Sequence, residues 1–152
     1  MFTPLHFPKA DLKLSRLNEQ VFVWCIIRQK KLVLTPEEWV RQHVIHYLIN
    51  SKHTPLGLIA SEFTIKINGL TRRCDIVVFD YAKKPILIVE CKAPEVEINE
   101  QVLHQIAHYN FKLDTSYLYL TNGLFSVACQ INKFENKLNF FKELPSFEEM
   151  IN

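Results

Sequence analysis

The chain has 152 residues, 48% of them hydrophobic and 22% charged, with a formal net charge of +2. That length suits one domain with an ordinary core, and that charge fraction gives no case for disorder. Any affinity for a polyanion must therefore come from local patches. The four cysteines, Cys25, Cys74, Cys91 and Cys129, stand singly, without the close pairing that structural zinc or a redox motif needs. Three lie in apolar, strand-like segments where cysteine behaves as a small hydrophobe, so a reducing, cytoplasmic setting is expected. Apolar runs such as Ile86–Val89 are too short to cross a bilayer, and Met1–Ala10 has no basic segment followed by an apolar stretch. Neither a membrane span nor a leader is expected.

In chain order, the first residues read as an irregular arm, over 1–20, ahead of a single domain over 21–152. Val21–Arg28 and Leu32–Leu34 read as strands separated by the polar turn Gln29-Lys30-Lys31. Thr35-Pro36-Glu37-Glu38 is a helix start: Thr35 can cap, Pro36 suits the first turn, and Glu38 has capping-box spacing. Val40, Val44 and Leu48 carry that helix to about Asn50. Glu62–Ile67, Asn68-Gly69 and Arg73–Phe79 predict a tight hairpin. Pro85–Glu90 is a continuous apolar strand, and Ile98–Lys112 a second helix. Tyr117–Leu120, Leu124–Ile131 and Leu138–Phe141 continue the β structure, and Ser146 caps a last short helix. The expected fold class is α/β, a mixed sheet with a helix on either side.

Charge inside buried strands needs a reason, because an isolated buried ion is costly. Asp75 opens the apolar run Ile76–Phe79, while Glu90 and Lys92 end the run Ile86–Val89. Glu90 and Lys92 share a face because strand side chains alternate. A hairpin through Asp80–Lys84 places Asp75 near both. Two carboxylates and an ammonium on one patch suit Mg²⁺ and phosphate chemistry: the acids hold the ion, and Lys92 orients or deprotonates a water or stabilises developing charge. A structural ion pair at a strand end is the competing account of the same residues.

On the first helix, Glu37 falls near the centre of the Val40–Val44–Leu48 stripe and points toward the sheet, whereas Glu38 lies at its edge. Glu37 can equally be explained by the helix N-terminus. Gln105 and Tyr109 border the apolar face of the second helix, either near the active centre or as boundary residues. His104 and His108 have metal-pair spacing but a polar face. Arg28, Lys30 and Lys31 cluster at the first turn, and Arg72 and Arg73 precede Asp75, with Arg73 the more persuasive phosphate contact.

With these residues in view, the chain resembles the PD-(D/E)xK nuclease superfamily. More narrowly, it resembles the small proteins related to the N-terminal nuclease domain of the type I restriction enzyme R subunit. The resemblance covers roughly Val21 to Ile131. It rests on ordered blocks: Leu34-Thr-Pro-Glu-Glu-Trp-Val-Arg-Gln42, Arg73-Cys-Asp-Ile76, Val89-Glu-Cys-Lys-Ala-Pro94, Gln105-Ile-Ala-His-Tyr-Asn110 and Leu120-Thr-Asn-Gly123. It implies a restriction-endonuclease-like sheet, with Asp75, Glu90 and Lys92 catalytic and Glu37 as an additional acid and metal ligand. It also implies Mg²⁺, replaceable by Mn²⁺, and a glutamine–tyrosine helix motif at Gln105 and Tyr109. DNA is the implied partner, with a homodimer or other restriction or repair subunits alongside. Cys74 replaces the superfamily's proline, at a position that does not touch metal. No glycine-rich phosphate loop exists among Gly57, Gly69 and Gly123, so ATP is not expected. The residues leave two other functions open: a catalytically idle nucleic-acid-binding module, and a partner-binding protein whose charges form a buried network.

Overall fold

The computed structural model describes residues 2–67 and 69–152, excluding the side chains of Ile67, Tyr109 and residues 111–113. Asn68 of the expected tight turn and the Tyr109 side chain therefore lie outside the described residues. A three-stranded antiparallel sheet comprises β1 (Leu14–Leu17), β2 (Gln20–Cys25) and β3 (Lys30–Val33). Helix α1 (Pro36–Asn50) follows. Then β4 (Ile59–Ile67), β5 (Leu70–Phe79) and β6 (Pro85–Cys91) form an antiparallel meander. Helix α2 (Glu100–Leu113) crosses to β7 (Tyr117–Thr121), and β8 (Ser126–Asn132), β9 (Lys137–Phe141) and α3 (Phe147–Ile151) complete the chain. The six larger-sheet strands lie in sequence order, with β6 and β7 parallel and every other neighbouring pair antiparallel. This is the expected mixed α/β sheet.

The alternation of apolar residues assigns the two faces. Ile76, Val78, Leu87 and Val89 pack with Val40, Val44, Ile45 and Leu48 of α1 and with Phe147 and Met150 of α3. Val77, Ile88 and Leu118 pack with Leu103 and Ala107 of α2 on the other face. Burial on both faces is why β6 reads as an uninterrupted apolar run.

The alternation slips between β4 and β5. Cys74 and Ile76, two residues apart, belong to opposite cores, as do Ile59 and Ile65 on β4. Ser61 pairs with Ile76 and Phe63 with Cys74, so the slip falls where Glu62 faces Asp75. Glu62 takes φ +51, a left-handed conformation that costs a non-glycine residue about 1–2 kcal/mol. The break turns both carboxylates out of the regular pleat toward α1.

Two expectations need correction. The boundary at residue 20 falls inside the β1–β2 hairpin, since Leu17 pairs with Gln20. The arm before it is anchored: Phe7 is buried against Tyr47, the Trp39 indole N–H donates to the Thr3 carbonyl at 2.8 Å, and the His6 N–H donates to the Gly123 carbonyl at 2.8 Å. Lys30 and Lys31 belong to β3 rather than to the turn, because the chain already reverses at residues 26–29. Among the described residues no helix is long and apolar enough to cross a membrane.

Gly123 combines φ +85 with a Leu5 methyl carbon 2.5 Å from where a Cβ would sit, whereas nothing lies near a Cβ at Gly57. Gly123→Ala is therefore expected to destabilise the fold by about 1–2 kcal/mol and loosen the arm. Gly57→Ala should stay within about 0.5 kcal/mol of the parent. Urea unfolding midpoints check both.

Candidate functional site

The β5–β6 register pairs Ile76 with Val89, which sets Asp75 across from Glu90 at the end of the ladder. The Cys91 N–H turns to Asp75 Oδ2 at 2.7 Å. The Asp75 and Glu90 carboxyl groups share a hydrogen bond, and Lys92 lies within electrostatic reach of Glu90. Cys91, between Glu90 and Lys92, is buried in the α1-side core, consistent with both charged neighbours lying on the opposite side. Two carboxyls in contact cannot both ionise freely. Burial, reinforced by Asp75 and opposed by Arg72 and Lys92, pushes Glu90 up to about 7.

Each carboxylate has its own arginine, one from each side of the sheet. Arg72 of β5 bonds Glu90 and also the side chain of Asn110, a buried residue on α2. Arg41 of α1 donates to Asp75 Oδ1 at 3.1 Å, Glu37 at 2.9 Å and Glu38 at 2.7 Å, with Glu62 at 3.4 Å. Burial works against the charge on Arg41, yet the negative groups around it, Glu38 and Asp75 foremost, outweigh it and raise its pKa. Glu62 is in turn held by Arg28 and, at 3.1 Å, by Arg73. Among the described residues Lys92 makes no ion pair; its ammonium is not consumed in neutralising either acid.

The backbone of Lys92 is fixed from β7. Its N–H donates to the Thr121 carbonyl at 2.9 Å. Asn122 Nδ2 grips the Val96 carbonyl at 2.9 Å, while its Oδ1 accepts from the amides of Leu124 and Phe125. The Thr-Asn-Gly block thus buttresses the loop that carries Lys92.

The acid that α1 buries differs from expectation. Ile45 is buried along with Val40, Val44 and Leu48, which widens the buried face toward Glu38 and Arg41. The side chain of Glu38 is only 8% exposed, against 45% for Glu37. Thr35 caps the Glu38 amide at 3.1 Å, but the Glu38 carboxylate bonds Arg41 and Gln42 instead of closing a capping box. Glu37 reaches the cluster from its solvent side. Arg72, not Arg73, meets the central acids; the Arg73 side chain is 69% exposed. Lys30, Lys31, Gln105, His104 and His108 are exposed on their elements. Arg41, Glu38, Glu62 and Asn110 are the residues that sequence reasoning left without a role in the site, and Arg72, expected at most to contact phosphate, pairs with Glu90 instead. For Arg41 a signal existed, its i,i+3 and i,i+4 spacing from Glu38 and Glu37.

Among the described residues no three His, Cys, Asp or Glu side chains converge as a ready ligand set. Mg²⁺ does not require one, since it binds through one or two carboxylates plus water and substrate oxygens. The hydrogen-bonded pair Asp75–Glu90, with Glu90 raised by burial and a like charge, fits such a cation.

Residues 36–145 match the family described as type I restriction enzyme R protein N terminus (HSDR_N). No curated protein sequence matches the chain. Among solved structures, a fragment described as an HsdR subunit of a type I restriction enzyme from Vibrio vulnificus YJ016 aligns at 20% identity with a TM-score of 0.44. The alignment covers 61% of this chain and 20% of that one, so this chain spans about a fifth of that relative's length.

Because the folded-state pKa of Glu90 lies above its ordinary value of 4.5, its contribution to stability is fully present at low pH and is lost as pH rises through about 7. Without divalent ions, ¹³C chemical shifts are expected to place the Glu90 midpoint near 7. Asp75→Asn should move that midpoint down, and Glu90→Gln should remove this part of the pH dependence from unfolding curves.

Proposed function

The chain belongs to the type I restriction enzyme R protein N-terminal family, and on that premise we propose that it is a Mg²⁺-dependent endodeoxyribonuclease of the PD-(D/E)xK kind. The observation that carries this reading is the contact between Asp75 and Glu90, with Lys92 beside them and outside every ion pair among the described residues. A lysine needed only to neutralise the acids would be bonded to one of them. Here Arg41 and Arg72 already do that work.

Asp75 and Glu90 would hold the Mg²⁺, with Mn²⁺ able to substitute, and Glu37 stands close enough to serve as an outer acid. The ion, when bound, supplies positive charge against the scissile phosphate and makes water more acidic. Lys92, its backbone clamped to Thr121, directs its ammonium at the attacking water or at the charge that builds on the phosphate. Arg28, Arg73, Lys30 and Lys31 would meet DNA phosphates, and Gln105 and Tyr109 belong to the same proposed surface through the family motif. The buried thiol of Cys91, raised by desolvation, takes no part. In this reading the chain works in the cytoplasm without ATP of its own, as a homodimer or beside other restriction or repair subunits.

One observation favours a second reading: both central acids have an arginine partner, as in an idle nucleic-acid-binding or partner-binding module held by a buried network. The two readings part at Lys92. With Mg²⁺ or Mn²⁺, the wild type is expected to cleave plasmid DNA. Lys92→Ala or EDTA should reduce the rate at least about 100-fold, while the variant's stability stays within about 1 kcal/mol. Equal cleavage by both proteins points to a contaminant. No cleavage by either, with Lys92→Ala destabilised by several kcal/mol, establishes the structural reading. Alanine at Arg73 or Lys31 should weaken DNA binding across sequences and lower the salt slope by about 1 each, read by fluorescence anisotropy.

A further inference from the structure

We infer that the cavity beside the Lys92 loop is a stacking pocket for one unpaired base, so that the strand reaching the charged centre is single-stranded DNA. The inference deepens the nuclease reading above and rests on it. The cavity, of about 220 Å³, is lined by Phe2 and Thr3 of the arm, Pro36 and Trp39 of α1, and Pro94 and Glu95 of the loop after β6. Pro36 directly precedes Glu37, and Pro94 stands two residues after Lys92. The cavity is therefore walled by the same two segments that deliver the α1 acids and the lysine.

The lining says what fits. Two aromatic rings and two prolines present flat apolar surfaces, and among the described residues lining the cavity there is no cation. The one charge is the exposed carboxylate of Glu95, which repels a phosphate and can accept from the amino edge of a base. A volume below the roughly 300–1,000 Å³ that encloses a drug-sized ligand leaves room for a single ring system. Aromatic side chains hold unpaired bases by stacking whatever their identity, because every base has a π-face. A base inside a duplex is already stacked on its neighbours and must leave them to enter.

The platform stands ready in the free chain. Phe2 stacks on the Trp39 indole with ring centroids 5.2 Å apart and planes at 27°. The indole N–H donates to the Thr3 carbonyl at 2.8 Å, and the His43 ring meets Trp39 edge-on at 4.3 Å. The Trp39 carbonyl bonds His43 Nδ1 at 2.8 Å. A ring tied at three points loses little freedom when a base joins it, and preorganised sites gain affinity that way. Phe2 itself belongs to neither hydrophobic core, so the stack is not explained by packing of the fold's interior.

The test uses the whole chain in EDTA, so that binding is read without cleavage. Fluorescence anisotropy compares labelled oligothymidylate with an abasic strand of the same length, which keeps the phosphates and lacks the bases. The wild type should bind oligothymidylate at least about 10-fold more tightly. In Trp24→Phe, where Trp39 alone reports, oligothymidylate should quench the tryptophan emission and a blunt duplex should leave it unchanged. Trp39→Ala should reduce the preference for bases to about 2-fold or less, while Trp39→Phe, which keeps a ring, retains most of it. Phe2→Ala should cut the preference with little change in Tm, and it decides the matter if Trp39→Ala does not fold. Equal affinity of the wild type for the two strands overturns the inference. So does a preference that survives Phe2→Ala and Trp39→Ala, a blunt duplex that quenches as well, or a wild type that binds neither strand. A chain that cuts plasmid yet ignores the bases fails here alone; one that holds bases through Trp39 but never cuts keeps the pocket and loses the nuclease reading.

Discussion

Two carboxyl groups in contact at the end of a buried strand pair cannot both keep their charge unless cations reach them, and much of this molecule answers that constraint. Asp75 and Glu90 are forced together because β5 and β6 are hydrogen-bonded neighbours in a register fixed by apolar residues on both faces. Each acid then draws an arginine from its own side, Arg41 from α1 and Arg72 from β5, the latter steadied by Asn110 of α2. The two helices that close the two cores also contribute side chains to the two halves of the charged centre.

The strand slip at Glu62 belongs to the same solution. A regular pleat would hold Glu62 and Asp75 opposite each other as like charges. The left-handed backbone at Glu62 breaks the alternation there and lets one guanidinium face both. The conformational cost of about 1–2 kcal/mol is offset by charge-assisted hydrogen bonds in a poorly solvated place. Strain of this kind collects where a structure must aim side chains that the regular element would point elsewhere.

Lys92 is treated differently. It stands past the end of β6, held through its backbone by Thr121, with the following loop tied down by Asn122 and the arm packed over Gly123. Its ammonium forms no ion pair among the described residues, whereas Asp75 and Glu90 are balanced by arginines; on the proposed reading it stays available for chemistry.

Much of the fold was legible in the sequence, because period and punctuation are local. Thr35-Pro36 placed the start of α1, Ser146 capped α3 with a capping box, and the continuous run at 86–89 marked a strand buried on both faces. The juxtaposition of Asp75 with Glu90 was legible too, since a short hairpin turn leaves little freedom in register. Which acid of α1 is buried was not: the wheel centred on Val40, Val44 and Leu48 turned Glu37 toward the sheet, whereas with Ile45 buried as well the more buried acid is Glu38. Nor could any local pattern bring Arg41 to Glu62 and Asp75, or Arg72 to Asn110. Those meetings depend on where a helix settles on a sheet, which long-range burial decides. The sequence by itself determined the elements and the acids at the strand ends; tertiary structure alone decided which cations face them, because charge compensation in a buried site follows distance in space and not spacing along the chain.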